Sequence, residues 1–341
     1  MSIRASVAAN RATKLLGVLL CGALVWRFAP HPWVAFGALT GVDAWIVAAA
    51  VVVNAAGIAI RAEAWRGLLR HVPGDRVRIG DALTAYVVGL VGNALLPARA
   101  GEAARVNVMG RRLGGDGAYA LVAGSVVAHR LLDCVPFALL ILLAVALAGP
   151  SGLSGIALPA AAIGIVAAAG AAVLLLRRAP SRQRGSSRLI TVFAAVRRGA
   201  AEVGRPGIAL RALGLLTVAW AAQLVVVWLA LAAFGLPHPV GTAALVLVAA
   251  NVAAAVPLLP GGVGMFQAAV ALSLGAGGTA AAAGIAFGVG LQGLELLTTL
   301  LVGLPTAARE GLLVVSRRRA QPAVVATPSP GRPASEPTTP S

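Results

Sequence analysis

Asn93-Ala-Leu-Leu-Pro97-Ala-Arg99-Ala-Gly101-Glu102-Ala-Ala-Arg105 interrupts a long apolar stretch with a proline, a glycine and three charges. A second interruption, in the other half of the chain, reads Pro257-Leu-Leu-Pro260-Gly261-Gly262-Val263-Gly264-Met-Phe-Gln267. Backbone that cannot stay helical is tolerated at membrane depth only where protein or a wet cavity surrounds it. Broken hydrophobic segments in corresponding places of two halves point to a transporter-like binding site. The pair therefore decides the reading, provided the rest of the chain is membrane-embedded.

Composition meets that condition. The chain is 59% hydrophobic and only 11% charged, where a soluble domain is nearer half apolar and about a quarter charged. Several runs reach the roughly 20 residues needed to cross a bilayer core. Spans are expected at Leu15–Ala35, Asp43–Ile60, Tyr119–Leu147, Ile156–Leu176, Ile208–Leu236 and Thr279–Leu304. The first reads as an uncleaved span rather than a signal peptide, since Leu20 before Cys21 is too large for lipoprotein cleavage. Cys21 and Cys134 both fall in apolar segments, so neither a disulfide framework nor metal-ligand spacing follows, and no cofactor motif is present.

The net charge of +17 is a topology signal rather than a nucleic-acid surface. Arg61, Arg66, Arg70, Arg76 and Arg78 fall in one expected loop, and eight arginines between Arg177 and Arg205 in another. Arg309 and Arg317 to Arg319 follow the last span. Such clusters mark cytoplasmic loops. With the N-terminus inside, every cluster stays inside only if residues 81–118 enter and leave on one face. Gly241–Gly275, which holds no Lys or Arg, must then do the same from the opposite face. The expected fold is an all-α polytopic membrane bundle of about six full spans plus two broken, re-entrant hairpins. Three spans and one hairpin per half imply an inverted repeat.

The expected organisation is a cytoplasmic N-terminus (1–14), a transmembrane domain (15–305) and a cytoplasmic, mostly disordered tail (306–341). Trp65, Leu68, Leu69 and Val72 share one helical face, as do Leu189, Val192, Phe193, Val196 and Ala200. Each stretch reads as a helix in the headgroup plane or one packed on the ends of the spans.

Ionisable groups inside spans are costly, about 2.5–3.5 kcal/mol each on insertion scales, so each needs a reason. Asp133 is i+3 from Arg130 and i+4 from His129, which puts all three on one face. They read as a neutralised pair, a headgroup site, or both. Glu102 and Arg105 repeat the i,i+3 relation behind Pro97 and Gly101, where a helix N-terminus would suit an anion. Asn93 is placed to satisfy carbonyls freed by Pro97. Pro260 and its glycines remove side chains where backbone must bend or approach a ligand. Glu295 is a lone carboxylate in the last span, an interhelical hydrogen-bond partner or a proton carrier.

These motifs together resemble the lysylphosphatidylglycerol synthase transmembrane-region family, the flippase-like membrane proteins. The resemblance rests on Asn93…Pro97…Gly101-Glu102…Arg105, on Arg130-Leu-Leu-Asp133, on Pro257…Pro260-Gly261-Gly262-Val263-Gly264, and on Arg61…Trp65. It covers roughly residues 10–315. Two positions depart from the family's pattern, His129 and Gln267, each standing where a Glu is usual. The soluble aminoacyl-transferring domain of bifunctional relatives is absent from this sequence.

The resemblance implies a lipid flippase or transporter of the cytoplasmic membrane with both termini inside. Its substrate would be a membrane lipid with an anionic headgroup. Arg105 and Arg130 would hold the phosphate, with Glu102 and Asp133 orienting them, and Arg99, His129, Gly264, Gln267 and Glu295 nearby. The alternative is a membrane enzyme, or an accessory partner of a lipid-modifying enzyme, in polyprenyl-linked glycan or hopanoid metabolism. No nucleophile–base pair or nucleotide motif supports chemistry.

Overall fold

The computed structural model describes residues 41–69, 77–95, 101–115, 117–148, 154–178, 205–255 and 264–320. All described elements are α-helices: α1 (Ala44–Leu69), α2 (Ile79–Leu95), α3 (Gly101–Leu113), α4 (Ala118–Ala148), α5 (Ser154–Arg178), α6 (Pro206–Ala233), α7 (Val240–Ala255), α8 (Met265–Gly275) and α9 (Ala281–Ala320). The chain is a polytopic membrane helical bundle. Helices α1, α4, α6 and α9 are long and apolar enough to cross a membrane, and α5 has 25 residues. The expected span Leu15–Ala35, the second amphipathic stretch and the tail after Ala320 lie outside the described residues.

The apolar residues that the bundle does not bury face outward. Leu272, Leu210 and Ile163 are each more than two-thirds exposed. In water such a surface would drive association; in a bilayer it is the lipid-facing wall.

Helices α1 and α6 run antiparallel along their length. Asp43 N–H donates to the Ala233 carbonyl at one end (3.1 Å), and Arg211 reaches Glu63 at the other (3.0 Å). Between them Gly57 faces Ala219 and Ala222, the small-residue contact that lets membrane helices approach closely.

Both broken segments are helical hairpins. In the first, Arg112 pairs with Asp81 where the hairpin opens, and Gly92 lies against Gly101 at its tip. The two helices are therefore antiparallel, and the chain returns to the end it left. In the second, α7 packs on α8. Helix α8 runs antiparallel to the start of α9, with Ala271 against Gly284 and Gln267 against Gly288. Helices of 17, 13, 16 and 11 residues fall short of the roughly 20 that a crossing takes.

The first hairpin opens at the end of the bundle that carries Arg66, Arg78, Arg111, Arg112, Arg205 and Arg211. The second opens at the opposite end, among residues 234–239 and 276–280, which hold no Lys or Arg. Contacts repeat between the halves. Helix α4 packs on α7 as α9 packs on α2, and α4 packs on α6 as α9 packs on α1. That exchange is what an inverted repeat produces.

Two expected boundaries change. Helix α1 does not stop near Ile60 but continues to Leu69, so Arg61 and Trp65 belong to it and not to a loop. Trp65, Leu68 and Leu69 are buried in the bundle, which places this face against protein and not in the headgroup plane. The apolar period at 62, 65, 68 and 69 carries the helix past its arginine. Helix α9 likewise runs on through Pro305 to Ala320, beyond the expected span end at Leu304.

Candidate functional site

Helices of both hairpins meet the middle of the long helices around a cavity of about 240 Å³. Its wall is half polar in character: Arg61, Arg130, Asp133 and Glu295, with Asn54, Asn251, Gln223 and Trp220. Tyr86 and Leu90 come from the first hairpin, Ala250, Asn251, Ala254 and Phe266 from the second.

Corresponding positions of the two halves face each other across it. Arg61 is the eighteenth residue of α1 and Gln223 the eighteenth of α6. Leu90 and Asn251 are the twelfth residues of α2 and α7. Asp133 in α4 and Glu295 in α9 match to within one residue. The cavity is thus lined by corresponding positions of both halves.

A chain of alternating charge runs from this cavity into the first hairpin. Arg61 Nη1 donates to Asp133 Oδ1 at 3.1 Å. Trp220 Nε1–H donates to the same oxygen at 2.8 Å, and the Arg61 guanidinium lies 4.6 Å from the Trp220 ring centre. Arg130 Nη1 is 3.8 Å from Asp133 Oδ2. Its closer partner is Glu102, to which Nε donates at 3.1 Å and Nη2 also donates. Glu102 Oε2 in turn lies 3.8 Å from Arg105 Nη1.

Arg105 ends the chain. It is 2% exposed, with its guanidinium 3.7 Å from the Trp65 ring centre and 4.5 Å from that of Tyr86. Such stacking suits the delocalised, weakly hydrated guanidinium. Trp65 is fixed by a 3.0 Å hydrogen bond from Nε1 to Ser125 Oγ. Among the described residues Arg105 Nε and Nη2 have no hydrogen-bond partner. His129 is fully buried beside this stack, edge-on to Tyr86 at 6.0 Å.

The site residues expected from the sequence thus separate into two groups. Arg130, Asp133 and Glu295 line the cavity; Arg105 and His129 form the packed layer behind it, and Arg105 does not reach the lining. Asp133 pairs foremost with Arg61 on another helix, not with Arg130 three residues away.

The expected role of Asn93 toward carbonyls freed by Pro97 involves residues outside those described. Asn93 Oδ1 accepts the Gly101 N–H at 3.0 Å, capping α3, whose first turn already holds Glu102. That N-terminus has its own anionic group and its own capping acceptor. Gln267 caps α8: its Oε1 accepts the Gly264 N–H at 2.6 Å, and its Nε2 donates to Gln292 Oε1 at 2.6 Å. Gly264 has φ of 88°, a conformation open to glycine and strained for other residues. Gly264 and Gln267 border a larger recess of about 500 Å³ between α8 and α9, which is apolar and holds none of the charged groups. Pro97, Arg99, Pro257, Pro260, Gly261 and Gly262 lie outside the described residues.

Arg61, Trp220, Gln223 and Asn251 are additions to the expected set. Gln223 and Asn251 are amides inside apolar helices, and Trp220 is one turn from Gln223, so polarity within a span was the available signal.

The sequence profile of the lysylphosphatidylglycerol synthase TM region matches residues 6–303. The chain belongs to this family. Membership makes it a multi-pass membrane protein of lipid metabolism or transport, as the bundle of apolar helices requires. The match extends over both hairpins, so the cavity is formed wholly by helices of the family's domain. No curated protein is significantly similar to the chain.

Proposed function

We propose that this protein moves a membrane lipid with an anionic headgroup between leaflets, binding the headgroup in the cavity between the two hairpins. The observation that carries this reading is the pair Arg61 and Arg130 on a half-polar wall between helices of both hairpins. A guanidinium is a planar, always-charged donor suited to phosphate oxygens. Arg130 is the most exposed member of the charge chain, with a side chain 43% accessible. Asp133 and Glu102 hold the two guanidinium groups in place. Arg105, stacked between Trp65 and Tyr86, sets the position of Glu102 rather than touching the ligand. A site between the halves of an inverted repeat can open to either face when the halves rock.

Reconstitution into vesicles with fluorescent lipids tests this. Translocation is expected for phosphatidylglycerol and other anionic lipids, measured as the label reachable by a membrane-impermeant quencher. Equal rates for vesicles with and without protein, over the whole lipid panel, would end the reading.

The basic end of the bundle is assigned to the cytoplasm, with both termini there, because clustered arginines are retained on that side. In a cysteine-free background, single cysteines at Gly115 and Arg188 should be protected from an impermeant maleimide in intact cells. Cysteines at His238 and Gly277 should be labelled. Opposite behaviour of Gly115 and Arg188 would contradict the assignment.

A further inference from the structure

We infer that Glu295 is a proton-binding site, and that a proton and the anionic headgroup occupy the cavity together. The inference rests on the anionic-headgroup reading above and adds the ion that accompanies the lipid.

Asp133 and Glu295 are counterparts in the repeat, but their hydrogen-bond partners differ in kind. Asp133 is held by the Arg61 guanidinium and the Trp220 indole N–H. Both are donors only, so they serve the ionised carboxylate and offer nothing to a carboxylic O–H. Glu295 Oε1 instead accepts from Gln223 Nε2 at 3.0 Å. An amide carries donors and an acceptor. In this orientation it donates to the carboxylate; with the amide rotated, its oxygen accepts from the protonated acid. The position equivalent to Arg61 is thus occupied by a partner that satisfies Glu295 in both charge states.

Charge balance points the same way. Among the described residues of the cavity and its charge chain, Arg61, Arg105 and Arg130 face Glu102, Asp133 and Glu295. Among these described groups three cations meet three carboxylates, so an added phosphate tips their balance to negative. A proton on a Glu295 oxygen removes one carboxylate charge and leaves room for one anion. The groups facing Glu295 in this cavity are Arg61 from α1, Tyr86 from α2, Arg130 and Asp133 from α4, Trp220 and Gln223 from α6 and Asn251 from α7, with Thr299 on its own helix. Of the carboxylates lining the cavity, Asp133 is committed to its cation, which leaves Glu295 to take the proton. Linkage is reciprocal: bound lipid favours the proton and the proton favours bound lipid. No bond other than O–H forms or breaks, and the proton returns to water when the lipid leaves.

The test uses the full chain in detergent with dihexanoyl-phosphatidylglycerol as probe. Binding is followed by calorimetry and proton uptake by a pH dye in weak buffer. The expected result is uptake of close to one proton per lipid bound, and affinity that strengthens as pH falls, by up to about tenfold per pH unit for one linked proton. Glu295→Gln, which mimics the protonated acid, should bind the lipid without proton uptake and without that slope. Glu295→Asp keeps the carboxyl and should retain the uptake. Lipid binding by the unaltered protein with no proton uptake would overturn the inference while leaving the lipid reading intact. Uptake undiminished in Glu295→Gln would assign the proton to another group. No binding of any anionic lipid would instead strike the reading on which both rest.

Discussion

Replacing Arg61 by alanine is expected to lower the rate of lipid translocation at least tenfold, and replacing Asp133 as well should not restore it. The two residues form a 3.1 Å pair deep in the bundle, with side chains 14% and 10% exposed. Removing one member of a buried pair strands the other and costs about 3–5 kcal/mol, whereas removing both is often nearly neutral. If Arg61 only neutralised Asp133, the double alanine variant would therefore regain what either single change loses. A ligand-binding Arg61 behaves differently, because the second change cannot supply the missing donor. Arg61→Lys should recover little, since an ammonium lacks the planar, two-pronged geometry and the stacking on Trp220. Rates are to be compared at equal amounts of reconstituted protein. A double variant close to the unaltered rate would return Arg61 to a structural role. The closer partner of Arg130 is Glu102, at 3.1 Å against 3.8 Å for Asp133, so the corresponding cycle pairs Arg130 with Glu102.

The same residues show what is legible in the sequence. The hairpins are, because their cause is local: Pro and Gly break each apolar stretch, and the placement of arginine leaves one consistent path across the membrane. The expected ranges 81–118 and 241–275 lie close to helix pairs that begin at Ile79 and Val240. Arg61 is misplaced by the sequence because a cation after a run of apolar residues looks like a span's end. The helix continues because Ala62, Trp65, Leu68 and Leu69 find a buried face, and that face is made by other helices. Glu295 is visible as a charge, but its partner lies 72 residues away on α6. The separation of Arg105 from Arg130 is equally hidden. Both are arginines near carboxylates in sequence; only the rings of Trp65 and Tyr86, brought in from two further helices, hold the first one away from the cavity. Helix periodicity reports which residues share a face. It does not report what that face meets, and at this site the partner decides the role.

The second large effect is expected at Gly101, where a single methyl group should disable the first hairpin. Gly101 opens α3 at the hairpin's tip, against Gly92 and Asn93 of α2. A Cβ there would overlap the Gly89 carbonyl oxygen and approach the Asn93 nitrogen to 2.5 Å and its Oδ1 to 2.6 Å. Two of these are backbone atoms, which cannot swing aside as a side-chain end does. Gly92 and Gly89 already allow the closest approach, since a Cβ on Gly92 would meet the Gly101 Cα at 2.7 Å. Overpacking of this kind costs about 1–3 kcal/mol where neighbours can shift. Here the shift must part α2 from α3, lose the Asn93–Gly101 hydrogen bond and move Glu102, the first residue after the contact, off Arg130. Gly101→Ala should therefore lower both the thermal stability of the detergent-solubilised protein and its translocation rate. Gly67→Ala is the control: that glycine lies in the last turn of α1, and a Cβ added there would meet nothing within 4 Å among the described residues outside its own helix backbone. A Gly→Ala change within a helix is worth up to about 1 kcal/mol in the favourable direction in an interior position and less in a last turn. Unchanged melting of Gly101→Ala beside Gly67→Ala would mean that the hairpin tip is not packed as closely as the Gly92–Gly101 contact requires.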